Sequence, residues 1–114
     1  MTESIGNKLT QVIGDICTVF ENDAGTERLP YAVYTLDTEP TYAKGGVTKI
    51  AGTLTIYIYS GSAKEALGIK ELVVTAIASG MQGGAYRSKL RSAASDNKDG
   101  TYMQTLEYYI AQIA

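Results

Sequence analysis

The chain of 114 residues has no histidine, one cysteine, no tryptophan, one phenylalanine and two prolines. Without imidazole there is no Ser-His-Asp or Cys-His catalysis, no histidine pH switch and no Cys2His2-type zinc site. A lone Cys17 excludes an intrachain disulfide. It sits beside the apolar stripe of a predicted helix with no basic neighbour in sequence, the setting of a small core hydrophobe. Excess positive charge is also missing: ten Lys and Arg against twelve Asp and Glu leave a net charge of −2. The long-range field with which sequence-independent DNA binders gather phosphates is therefore absent. Met1 to Asn7 has neither a basic nor an apolar region of a signal peptide, and the most apolar run, Leu72–Ala78, is far short of a bilayer span. The expectation is a cytosolic product with no membrane partner.

What is present is enough apolar residue, 45% against 19% charged, for one real core, and a length that suits one domain, taken as 1–114. Tyrosine is the outlier, with nine copies. Its hydroxyl favours faces and interfaces where one end of the ring stays near water or a partner.

Apolar residues at Ile5, Leu9, Val12, Ile13, Ile16, Val19 and Phe20 follow helical spacing and predict a first helix over 5–20. Thr2, Glu3 and Ser4 suit its start, and Asn22, Asp23, Ala24 and Gly25 its end. Gly6 and Gly14 inside it suggest close packing against a sheet. Leu29 to Leu36 reads as a strand with Pro30 at its first position. Pro40 to Val47, with Gly45-Gly46, reads as a mobile tip or hairpin turn. Thr48 to Ser60 alternates, with Ile50, Leu54, Ile56 and Ile58 on a dry side and Thr53, Thr55, Tyr57 and Tyr59 on the other.

Ser62-Ala63-Lys64-Glu65 matches a capping box and opens a second helix, ended by Gly80, Gly83 and Gly84. Tyr86 to Ala94, a turn over Ser95–Gly100 and a last strand Thr101–Ile113 form a hairpin, with Leu106, Tyr108 and Ile110 inward and Tyr109 outward. The expected fold is a two-layer α+β domain in the order α-β-β-(β)-α-β-β. Its sheet is mainly antiparallel with four to five strands, and two helices pack on one face.

No catalytic, metal or cofactor constellation emerges. The glycines at 80–84 follow a helix instead of opening one, so they are no phosphate cradle. The turn at Asp96, Asn97 and Asp99 lacks the ligand spacing of a calcium loop. Asp37 and Glu39 lie two apart on one side of a strand, as solvated charges, as an acid–base pair, or as the polar anchor of a small-molecule pocket lined by Tyr57 and Tyr59. Arg87, Lys89 and Arg91 form a basic stripe with two readings: protection of an edge strand from aggregation, or docking of an acidic partner. From 15 to 43 the acids Asp15, Glu21, Asp23, Glu27, Asp37 and Glu39 face only Arg28, whereas bases dominate from Lys44 to Lys98. Opposite charges on different parts of one subunit suit head-to-tail contact, which closes into a ring when the rotation allows. Tyr42, Tyr57, Tyr59 and Tyr109 join Asp37, Glu39, Arg87, Lys89 and Arg91 as candidate interface residues, although sheet tyrosines also pair among themselves.

The order of elements, Leu29-Pro30-Tyr31-Ala32-Val33-Tyr34, the strand Leu54-Thr55-Ile56-Tyr57-Ile58-Tyr59-Ser60 before the second helix, and Asp99-Gly100-Thr101-Tyr102 with Leu106-Glu107-Tyr108-Tyr109-Ile110 together resemble the tail-completion, or tail-terminator, proteins of long-tailed bacteriophages and prophages. The resemblance implies a non-enzymatic virion subunit, without cofactor or metal, assembled in the host cytoplasm. It also implies a homo-oligomeric ring, usually a hexamer, that caps the head-proximal end of the tail tube, ends its polymerisation and offers the head–tail joining surface. The implied partners are the tail tube protein and the head–tail connector protein, with DNA passing through unbound. Segments 40–46 and 95–100 are expected to face the tube or the connector. The alternatives are a neck ring on the portal side and a small-molecule-binding α+β domain.

Overall fold

The computed structural model describes residues 4–22 and 28–113. The helix-start and break signals at Thr2, Glu3, Asp23, Ala24 and Gly25, and the charges of Asp23 and Glu27, lie outside the described residues. The element order is α1 (Ile5–Ile13), β1 (Thr18–Glu21), β2 (Tyr31–Ala43), β3 (Gly46–Ser60), α2 (Ala63–Gly80), β4 (Tyr86–Lys98) and β5 (Thr101–Ile113). The strands form one sheet in the order β1-β2-β3-β5-β4, antiparallel except for β1 beside β2. The two-layer α+β expectation holds, including the optional third strand between the helices.

The first helix is shorter than its periodicity predicts. Ser4 caps it by accepting from the Asn7 N–H at 3.2 Å, and Gly14 ends it by donating to the Thr10 carbonyl. Ile5, Leu9 and Ile13 are its buried stripe. Val19 and Phe20 leave the helix and join β1, whose β-branched and aromatic residues pair with Tyr31–Tyr34. Spacings of three and four over so few residues fit a helix end and a short strand equally well. The tight packing expected of Gly6 is present: a Cβ there would lie 2.6 Å from the Tyr34 hydroxyl. Gly14 instead serves as the helix terminus.

Ser62 caps α2, accepting from the Glu65 N–H at 3.1 Å. The reciprocal half of the capping box is rerouted. Glu65 accepts a short hydrogen bond from the buried Ser60 hydroxyl, which in turn accepts from the Ser62 N–H at 3.4 Å. Ala66, Ile69, Val73 and Ile77 of α2 meet Leu54, Ile56, Ile58, Leu106 and Ile110 of the sheet in one core. Each fully buried aliphatic side chain contributes about 1.5–3 kcal/mol relative to exposure.

Both hairpins are longer and tighter than the sequence suggests. β2 runs through Pro40 to Ala43 and turns at Lys44-Gly45, and β4 runs to Lys98 before a two-residue turn at Asp99-Gly100, both at positive φ. Segments 40–46 and 95–100 are thus mostly paired strand. Because β2 and β4 run in opposite directions, their turns lie at opposite ends of the sheet. The molecule is elongated, 52 × 26 × 23 Å.

Candidate functional site

One face of the sheet is covered by the helices; the other carries most of the candidate residues. The register defines rows across β2, β3, β5 and β4: Tyr31–Tyr59–Met103–Asp96, Val33–Tyr57–Thr105–Ala94, Asp37–Thr53–Tyr109–Lys89 and Glu39–Ala51–Ala111–Arg87. These odd-numbered positions of β2 and β3 oppose the buried Ala32, Tyr34, Leu54, Ile56 and Ile58. Asp37, Glu39, Tyr57, Tyr59, Arg87, Lys89 and Tyr109 therefore share the open face. Leu106, Tyr108 and Ile110 are buried inward with Tyr109 outward, as the alternation predicts.

Arg91 and Tyr42 depart from this plan. Pairing shifts between Leu90 and Ser92, which leaves Arg91 as the extra residue of a β-bulge in the basic stripe. Tyr42 lies beyond a second irregularity, on the β2–β3 arm opposite Val47, with 69% of its surface exposed.

The open face is edged by opposite charges. Asp37 and Glu39 are exposed on β2, and Arg87, Lys89 and Arg91 are exposed on β4. Three strand spacings separate the two edges, about 14 Å, which exceeds the screening length at physiological salt. Among the described residues no ion pair involves Asp37, Glu39, Lys89 or Arg91. Arg87 donates to its own strand's surroundings, the Gly84 and Tyr86 carbonyls at 2.9 and 2.7 Å.

Between the edges lies an aromatic layer that sequence reasoning found only in part. Phe20 stands edge-on to Tyr31 at 6.3 Å, Tyr31 lies 5.0 Å from Tyr59, and the Lys49 ammonium sits 5.8 Å from the Tyr109 ring. Burial, with Tyr31 and Tyr57 adjacent, raises the Tyr59 pKa. Phe20, Tyr31 and Lys49 are not among the interface candidates that the sequence offers. The signal for Tyr31 was its place in a strand paired with Tyr59, but the irregularity at Thr41/Tyr42 hides that register from any count made outward from the turn.

Among the described residues, the hollow on this surface is open to solvent. Tyr59 lines this hollow of about 190 Å³ with Asp96, Asn97, Lys98, Thr101 and Met103, and Tyr57 is not part of it. No group of three metal-ligating side chains occurs among the described residues, and none of their helices is long and apolar enough to cross a membrane. Cys17 is half-buried, and burial pushes its thiol pKa up, away from the reactive thiolate. On the covered face, Tyr34 donates to Glu21 Oε2 at 2.8 Å, and burial, that hydrogen bond and the Glu21 charge raise its pKa to about 12.

No family model matches the chain, and no curated protein does. Among solved structures, that of bacteriophage SPP1 gp17 protein is similar over 96% of this chain and 88% of its own, with a TM-score of 0.57 and 15% identity. A chain in the virion of a native gene transfer agent particle is similar over 99% and 87%, with a TM-score of 0.54 and 12% identity. At these identities the likeness is one of fold.

Proposed function

We propose that the chain is a structural virion protein of a phage-like particle. In this reading it forms a ring, usually a hexamer, at the head-proximal end of the tail tube, ends tube polymerisation and presents the head–tail joining surface. The observation that carries the reading is the fold match over nearly the whole chain with a bacteriophage protein and a component of a phage-like virion. The sequence resemblance to tail-completion proteins points the same way. Chemistry supports it: the open face offers an exposed, oppositely edged sheet for protein contact. A net charge of −2 suits a channel through which DNA slides without being held.

Purified protein tested by native mass spectrometry and negative-stain imaging, alone and with its tail tube protein, should give closed rings and shorter tubes. A strict monomer at millimolar concentration that leaves tube length unchanged refutes the reading. Pull-down against tube and connector proteins separates a tail terminator, which binds the tube, from a neck ring, which binds only the portal side.

A further inference from the structure

We infer that neighbouring copies of this chain join edge to edge, the acidic edge of β2 in one copy lying along the basic edge of β4 in the next. The inference rests on the ring reading above and names the surfaces that would make the ring.

Among the described residues no strand covers the outer side of β2 beyond Tyr34 or the outer side of β4. β1 pairs with β2 only at Tyr31–Tyr34, and from Thr35 to Ala43 no strand lies outside β2 among the described residues. The Tyr34 carbonyl accepts from the Asn22 N–H, so even-numbered β2 residues aim their main-chain groups outward. Leu36 and Thr38 thus offer donors and acceptors to a neighbour. Pro40, two residues further, has no donor to leave unmet. On the other side β4 is the outermost strand. Its first two outward positions are occupied, Tyr86 by Gly83 and the Ser88 carbonyl by the Gln82 side chain. Its main chain becomes available at Leu90.

Direction and register agree with such a joint. β2 and β4 run in opposite directions, so a copy rotated about an axis roughly along the strands sets its β2 antiparallel to the first copy's β4. The rows then continue from one sheet into the next. Asp37 meets Lys89 and Glu39 meets Arg87 on the open face, while Leu36 meets Leu90, 39% exposed, on the helix side. Strand tilt in a closed ring requires some stagger. Only even slips keep the charges on one face, and a slip of two sets Glu39 against Lys89 and brings Asp37 to the bulge at Arg91. A stripe of three bases opposite two acids tolerates that stagger.

The test uses two full-length variants, Arg87→Glu/Lys89→Glu/Arg91→Glu and Asp37→Lys/Glu39→Lys, with circular dichroism to establish that both are folded. In sedimentation velocity each alone should assemble with a dissociation constant at least about tenfold weaker than the original chain. An equimolar mixture should recover assembly, because every joint between unlike variants restores opposite charges, and its closed rings should hold even numbers of subunits. Folded variants that assemble normally, or a mixture that does not recover, overturn the inference while leaving a ring of the original chain standing. A chain that stays monomeric overturns both.

If a charge-reversed variant fails to fold, cysteine pairs decide. In a Cys17→Ser background, Asp37→Cys with Arg87→Cys, Lys89→Cys or Arg91→Cys should give, for at least one pairing, a ladder of disulfide-linked multimers on oxidation. The single-cysteine variants should stop at dimers. No ladder from any of the three pairings rejects the joint.

Discussion

Gly52→Ala is the substitution to which this sheet should be most sensitive. Gly52 lies in mid-β3 opposite Thr38, and a Cβ there would stand 2.0 Å from the Asp37 carbonyl oxygen and 2.7 Å from Thr38 Cα. Both obstacles are backbone, so no rotamer change relieves them, and ordinary contact begins at 3.4 Å. β2 must move away, straining or breaking ladder bonds beside Asp37. Overpacking costs about 1–3 kcal/mol and each weakened hydrogen bond about 1 kcal/mol, so we expect a loss of about 3 kcal/mol. At about 4 °C per kcal/mol for a domain of this size, the midpoint should fall by about 12 °C. Thermal melts and urea titrations of the two proteins measure it, with Thr53→Ala, on the half-buried open face, as a control expected to cost under about 1 kcal/mol. A Gly52→Ala midpoint within about 4 °C of the original would refute the close approach of β2 and β3.

Tyr108→Phe should stabilise the protein by about 1 kcal/mol, read as a higher urea midpoint, because the hydroxyl is buried without a partner among the described residues. Ser62→Ala should cost about 1 kcal/mol in the same assay by removing the N-cap of α2. Alkaline titration of stability has a defined sign. Tyr34 and Tyr108 rise from 10 to about 12 in the fold, so the folded state keeps protons that the unfolded chain gives up. Stability should hold below pH 10 and fall as pH climbs toward 12, and replacing both residues by Phe should flatten the fall in denaturant midpoints measured across that range.

The elements legible in the sequence were those where a single period runs long enough to exclude its rival. β3 and β5 alternate over many residues, and α2 carries a cap, a stripe and closing glycines, so their faces were correctly assigned down to Tyr108 inward and Tyr109 outward. β1 was hidden because Val19 and Phe20 also fit helical spacing, and its partner, Tyr31–Tyr34, is a parallel strand that no local signal announces. The hairpin arms were read as loops because Pro40, Gly45, Asp96 and Asn97 are turn formers by composition. In the fold, only Lys44-Gly45 and Asp99-Gly100 turn, and the others are held by cross-strand pairing. The candidate interface was legible as a list and not as a surface. That Asp37 and Lys89 share a row depends on two bulges and three pairings, each a long-range property.

The two readings of the basic stripe, protection against aggregation and docking of an acidic partner, are one physical effect. A β4 edge open from Leu90 onward is a hazard because any other strand edge can add to it. Arg87, Lys89 and Arg91 oppose pairing with a second β4, where bases would meet bases, and Asp37 and Glu39 oppose β2 on β2 in the same way. The bulge at Arg91 further distorts a flat ladder. Of the pairings between these two edges, β2 against β4 is the one without like-charge cost. That contact is head-to-tail by construction, so its geometry allows closure with every subunit using both edges. Charge that merely blunted aggregation would need no complement across the sheet, whereas here the acids and bases occupy the same rows.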